Sequence, residues 1–168
     1  EKGTKMLKVK GKLWMYTPRT DRKILIAGHL LRQSLMGSDL SYEDMMEDHK
    51  LSKSYSATFD SFTNIDKVKC TILNLTARDK KTTYQTRKVW VNPEDKTVLK
   101  EERFAKSGKL LKRIIFEGHE IISGRKFPRT MVFKDLLKEN TKTTYKFDVI
   151  EFDVEIPARY FSQSSLKR

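Results

Sequence analysis

Residues able to act as nucleophiles, proton carriers or metal ligands are few in this sequence, and they are scattered. Three histidines, His29, His49 and His119, stand in three different segments. Proton transfer needs a histidine held by a positioned partner, and no motif beside any of the three supplies one, so each reads as a surface or sheet residue. The single cysteine, Cys70, lies in the apolar run 68–75, where a thiol behaves as a small buried hydrophobe. Lys67 and Lys69 give only a weak version of the basic, exposed setting that makes a thiolate reactive. The acidic cluster Asp39, Glu43, Asp44, Glu47 and Asp48 has the ligand type for a hard cation but lacks the ligand spacing and central glycine of a calcium loop. Helix capping and dipole complementarity account for it, because Ser41 is followed three residues later by Asp44. There is no nucleophile elbow, phosphate-binding loop, dinucleotide fingerprint or HExxH pair. The residues therefore predict no enzyme, no metal and no cofactor.

The elements that carry these residues belong to a folded β-rich chain. In 168 residues there are 35 Lys+Arg against 22 Asp+Glu, a formal charge of +13, with 38% apolar residues and nine Phe, six Tyr and two Trp. The length suits one domain, and the aromatic content excludes a disordered chain. One cysteine makes no internal disulfide, so apolar packing must stabilise the fold. A mean hydropathy of −0.63 excludes an integral helical membrane protein.

Period-two alternation dominates. Leu7, Val9, Leu13 and Met15 alternate with Lys8, Lys10 and Lys12, predicting one strand over 6–16 with those three lysines on one face and a bend at Gly11. A turn at 17–21 and an apolar run at 23–26 complete a hairpin. Further strand-sized segments follow at 68–77, 82–91, 97–105, 110–122, 130–136, 138–142 and 143–152, joined by short polar turns. Connections this short favour antiparallel neighbours, so the architecture is a twisted meander. Residues 34–50 break the rhythm and read as one short inserted helix. The end, 161–168, is polar and expected to fray.

The positive charge has two anionic candidates as partners and one bland explanation. Arg22, Lys23, Arg87, Lys88, Lys109, Lys112 and Arg113 fall on separate segments and would give the sheet a basic outer surface. No helix-turn-helix or stacking motif interleaves with them, which argues against nucleic acid. Anionic lipid headgroups attract about 1 kcal/mol per nearby cation, which makes peripheral membrane contact the second candidate. A solvated face that keeps the protein in solution explains the charge equally well.

The segment 12–46, KLWMYTPRTDRKILIAGHLLRQSLMGSDLSYEDMM, carries a specific likeness. Trp14, Tyr16, Pro18, the pair Arg22-Lys23 and the run from Ser34 through Met36-Gly37-Ser38-Asp39 to Ser41-Tyr42-Glu43-Asp44 resemble a branch of the LolA-like outer-membrane lipoprotein-sorting family. Lys88-Val89-Trp90-Val91, the turn at 106–110, Lys126-Phe127-Pro128-Arg129 and Ile156-Pro157 agree with it. The resemblance covers nearly the whole chain as a single domain, 1–168, and implies a further helix and strands before Glu1.

The fold implied is mainly β (α+β), a curved antiparallel sheet forming an incomplete barrel, with short helices closing its concave face over an apolar cavity. Members of the family carry lipoprotein acyl chains across the periplasm without catalysis or cofactor. For this chain the resemblance thus implies a periplasmic location, acyl chains as ligand, and an inner-membrane transporter and outer-membrane acceptor as partners. Candidate cavity residues are Leu7, Val9, Leu13 and Met15 in the first strand, Val89 and Val91 beside Trp90, and Ile114 and Phe116. Met36, Met45 and Met46 would form an adaptable lid, with Gly37, Ser38, Asp39 and Tyr42 in the motif that holds it. Gly37 permits a tight turn and Ser38 or Asp39 caps the helix, or the same residues act as a hinge. Each lining residue also has an ordinary reading as packing between sheet and helix. Trp14 and Trp90 alternate onto the faces opposite their aliphatic neighbours.

Overall fold

The computed structural model describes residues 2–47 and 50–167. Two of the residues discussed above, Asp48 and His49, lie outside the described residues. Contacts divide the chain into two compact units, residues 1–47 with 153–168, and residues 48–152.

In the first unit, β1 (Lys5–Val9), β2 (Lys12–Thr17) and β3 (Arg22–Ile26) form an antiparallel sheet in that order. The single strand expected over 6–16 is two strands. Lys10 and Gly11 take left-handed φ of 50° and 70°, the two-residue turn whose twist suits a hairpin. Splitting the strand redistributes its faces. Leu7 pairs with Trp14 and Val9 with Lys12, whereas Lys8 pairs with Leu13 and Met6 with Met15. Directly paired residues share a face, so Leu7 and Val9 point opposite to Leu13 and Met15. Lys8 and Lys12 also lie on opposite faces and Lys10 is in the turn, so the expected row of three lysines does not form. Leu13 pairs with Ile26, and both are buried.

The inserted helix is shorter than the sequence suggested. Among the described residues of this unit only α1 (Tyr42–Met46) is α-helical, and its cap is Ser41 rather than Ser38 or Asp39. Ser41 Oγ accepts from the Asp44 N–H at 3.2 Å while the Ser41 N–H donates to Asp44 Oδ2 at 2.7 Å, a reciprocal capping box. Residues 34–41 instead make a compact loop, closed by a bridge between Ser34 and Ser41 and by Leu35 N–H donating to the Leu40 carbonyl at 2.7 Å. The tail does not fray as expected. Its 3₁₀ turns, Ala158–Phe161 and Gln163–Lys167, pack against β1, with Leu166 buried and Lys167 Nζ 2.7 Å from Asp21 Oδ2.

The second unit starts with the single-turn helix α2 (Leu51–Ser54), followed by β4 (Tyr55–Ile65), β5 (Val68–Ala77), β6 (Thr86–Val91), β7 (Val98–Phe104), β8 (Leu110–Ile122), β9 (Arg125–Asp135) and β10 (Thr143–Lys146). Each strand pairs antiparallel with the next, and β4 and β10 are edges, so the sheet is not closed. This is the open antiparallel meander that the alternation and short turns predict. Segment boundaries shift: β6 begins at Thr86, β10 ends at Lys146, and 138–142 is a turn region rather than a strand. Lys126-Phe127-Pro128-Arg129 lies inside β9. Pro128, which has no N–H to donate, pairs with His119 of β8 just before the β10 ladder begins at Thr130.

Both faces of this sheet carry apolar clusters. Tyr55, Leu75 and Val89 form one, covered by Leu51 of α2, and Cys70, Ile72 and Trp90 form the other. The alternation of Val89, Trp90 and Val91 is thus as the sequence indicated.

Candidate functional site

The Tyr55–Leu75–Val89 face is built as rows of side chains running across the strands. Phe59, Leu73, Val89, Glu101, Ile114 and Phe133 pair in succession from β4 to β9. A neighbouring row links Phe62, Thr71, Val91 and Val98, and on the far strands Phe116 pairs with Met131, which pairs with Tyr145. Strand alternation therefore brings Val89, Val91, Ile114 and Phe116 to one face. Val89 and Ile114 are 4% and 1% exposed and form its floor, while Val91 and Phe116 are half-buried and present surface together with Leu73, Met131 and Phe133. These last three were missed in the sequence because strand register, not local pattern, selects them. Phe59 and Phe62 continue the face onto β4, with ring centroids 5.0 Å apart and most of each ring exposed.

A third row is charged. Arg87 pairs with Arg103, Arg103 with Lys112, and Lys112 with Asp135. Arg87 Nη1 and Arg103 Nε both donate to Glu101 Oε1, at 2.6 and 2.8 Å. Lys112 Nζ reaches Asp135 Oδ2 at 3.1 Å. The Arg87 guanidinium lies 4.7 Å over the Tyr55 ring, and Tyr55 donates its hydroxyl hydrogen to the Tyr84 carbonyl at 2.8 Å. Arg87 is buried and Lys112 half-buried, so neither belongs to the basic outer surface expected from the sequence. No sequence signal separates this Arg87 from the exposed cations, since only register brings Glu101 beside it. The result is a face with two largely apolar rows, the first interrupted by buried Glu101, beside a third row of paired charges.

The opposite face carries Trp90, with Lys100 Nζ 4.0 Å from its ring centre, and Glu102 bridged to Lys100 and Arg113 at 2.9 Å each. Burial opposes ionisation of Glu102, but hydrogen bonds from Lys100 and Arg113 outweigh it and hold the carboxyl below its ordinary range.

Three solved structures are similar to this one. A DUF1329 family protein from Desulfovibrio piger superposes with a TM-score of 0.84 at 27% identity over 92% of this chain and 64% of that one. A domain from Vibrio parahaemolyticus described as an outer membrane lipoprotein-sorting protein gives 0.78 at 22% identity, over 94% and 66%. A LolA superfamily protein from Nitrosomonas europaea gives 0.75 at 23%, over 96% and 71%. The chain thus spans 64% of the length of the first. No curated protein matches by sequence. A family model described as an uncharacterized protein matches residues 1–168. The chain belongs to that family and has the LolA-like fold.

Within the LolA-like fold the Met-Gly-Ser-Asp motif is a compact, internally hydrogen-bonded loop. Met36 and Gly37 are consecutive left-handed residues, with φ of 49° and 76°, a conformation glycine takes freely and methionine does not. Leu35, Asp39, Leu40 and Tyr42 are buried, and Tyr42 Oη sits 3.6 Å from Met15 Sδ on β2. The motif is thereby docked on the three-stranded sheet. Met36 and Met45 are exposed and Met46 half-buried. Of the other candidates, Leu7 lines a groove beside the tail, and Leu13 is core. Among the described residues no three His, Cys, Asp or Glu side chains gather as a metal cluster, and no helix is long and apolar enough to cross a membrane.

Proposed function

We propose that the protein is a non-catalytic carrier in the bacterial periplasm, binding lipid or lipoprotein acyl chains and passing them from an inner-membrane transporter to an outer-membrane acceptor. The observation that carries this reading is the second unit's face, where half-buried Leu73, Val91, Phe116, Met131 and Phe133 lie beside the ionic row of Arg87, Arg103 and Lys112. An alkyl chain laid along the apolar rows gains about 0.8 kcal/mol for each CH₂ withdrawn from water. The likeness to proteins described as lipoprotein-sorting and LolA superfamily members supports the same assignment.

Native mass spectrometry with lipid extraction, on protein purified from bacterial envelopes, tests the reading. The expected result is acyl-chain cargo that Phe116→Asp and Val91→Asp abolish while thermal unfolding stays cooperative. Empty protein that also fails to take up a fluorescent fatty acyl probe would overturn it. The reading then favoured is an interaction module of an envelope transport system. Edge strand β4 supports that alternative, since it presents eleven residues with Phe59 and Phe62 exposed.

A further inference from the structure

A groove of about 690 Å³ runs in the first unit between β1 and the tail. Its floor is Leu7 and Leu166, 8% and 3% exposed, with Met6 beside them. Its rim is Lys5, Arg159 and Tyr160. Among the described residues that line it, two are cations and none is an acid. The volume lies within the roughly 300–1,000 Å³ usual for small-molecule sites.

The rim is presented by a pinned backbone. Ser162 Oγ donates to the Arg159 carbonyl at 2.8 Å, and Ser165 Oγ donates to the Tyr160 carbonyl at 2.9 Å. Leu166 anchors the turn that follows, and Lys167 ties it to Asp21. The Arg159 guanidinium stands 5.4 Å over the Tyr160 ring, so the cation and an aromatic wall more than half exposed sit together above the apolar floor. An apolar trough with a cationic rim matches a molecule with one alkyl chain and an anionic oxygen head: the chain leaves water and the head accepts charge-assisted hydrogen bonds from the guanidinium. Holding the cation in place before binding lowers the ordering cost of that contact.

We infer that this groove is a binding site for a single-chain amphiphile with a carboxylate or phosphate head. The inference does not depend on acyl carriage by the seven-stranded sheet.

Calorimetric titration of the full chain with oleate and with lysophosphatidylglycerol, each below its micelle concentration, tests it. Lysophosphatidylcholine and inorganic phosphate serve as comparisons. The expected result is saturable binding of at least one anionic amphiphile, with Arg159→Gln removing that binding event or raising its Kd about tenfold or more. Tyr160→Ser weakens it in the same direction. Preference for oleate identifies a fatty acid as the source of the head group, and preference for the lysolipid identifies a phospholipid. Absence of saturable binding overturns the inference, as does phosphate binding as tightly as the amphiphiles, or lysophosphatidylcholine matching them. An unchanged Kd in both rim variants, each verified as folded by circular dichroism, also overturns it. Binding that Phe116→Asp abolishes and Arg159→Gln leaves intact would place the ligand on the sheet, overturning the groove while sustaining the carrier reading.

Discussion

Arg87 and Glu101 form an ion pair inside the second unit, Nη1 to Oε1 at 2.6 Å, with side chains 2% and 8% exposed. The two sit diagonally on neighbouring strands, since Arg87 itself is paired with Arg103 and Val89 with Glu101. A buried pair of this kind owes its importance less to net attraction than to the penalty of leaving one charge behind. Glu101→Ala is expected to cost about 3–5 kcal/mol, measured as a lower urea midpoint at unchanged slope. Replacing Arg87 and Glu101 together by Met and Leu should cost far less. A double-variant loss equal to the sum of the two single-variant losses would show that the pair is not coupled.

The capping box at Ser41 makes a smaller and separable contribution. Ser41→Ala removes the acceptor for the Asp44 N–H and should lower stability by about 1 kcal/mol. Ser41→Thr, which keeps both the acceptor and the hydroxyl that donates to Asp44 Oδ2, should recover most of it. Thermal unfolding of the two variants checks this, and equal melting temperatures for both variants would remove the cap from the account of this motif.

Stability should weaken as solutions become mildly acidic, through His119. Burial pushes its imidazole below the ordinary value, reinforced by nearby Lys126 and opposed by Asp95 and by the Val98 carbonyl, 3.1 Å from Nε2. The unfolded state therefore takes up a proton at higher pH than the folded state does. This contribution is fully present above the unfolded value of about 6.5, and it is lost as pH falls below that value towards the depressed folded one. Urea midpoints at pH 7.5 and 5.0 should differ more for the natural protein than for His119→Asn. The same pH slope in both would exclude His119 as the titrating group.

Cys70 has no exposed surface, and burial raises its thiol above the ordinary value. Native protein should react with Ellman's reagent only at the rate of unfolding, and stoichiometrically in denaturant. Rapid labelling of the native chain would contradict its placement beneath Trp90 and Ile72.

Much of the fold was legible because alternation and turn chemistry are local. Residues 68–77 and 110–122 match β5 and β8 end to end, and short polar turns require antiparallel neighbours. Ser41 with Asp44 marks a helix start in three residues of sequence. Errors arose where one pattern admits two geometries. Alternation over residues 6–16 looks the same whether the chain runs straight or doubles back at Lys10-Gly11, yet doubling back sends Leu7 and Leu13 to opposite faces. The acyl-chain candidates divide for the same reason: Val89, Val91, Ile114 and Phe116 share a face, whereas the four residues of the first hairpin do not.

By itself the sequence determined a β-rich antiparallel chain, because period-two patterning and short polar turns are properties of residue order. Tertiary structure alone decided which charges are buried and which apolar residues are neighbours. Arg87 finds Glu101, and Arg159 meets Leu7 across a groove, between residues 14 and 152 positions apart. Such juxtapositions depend on strand register and on where the tail packs, which are set by long-range burial and leave no trace in any local window.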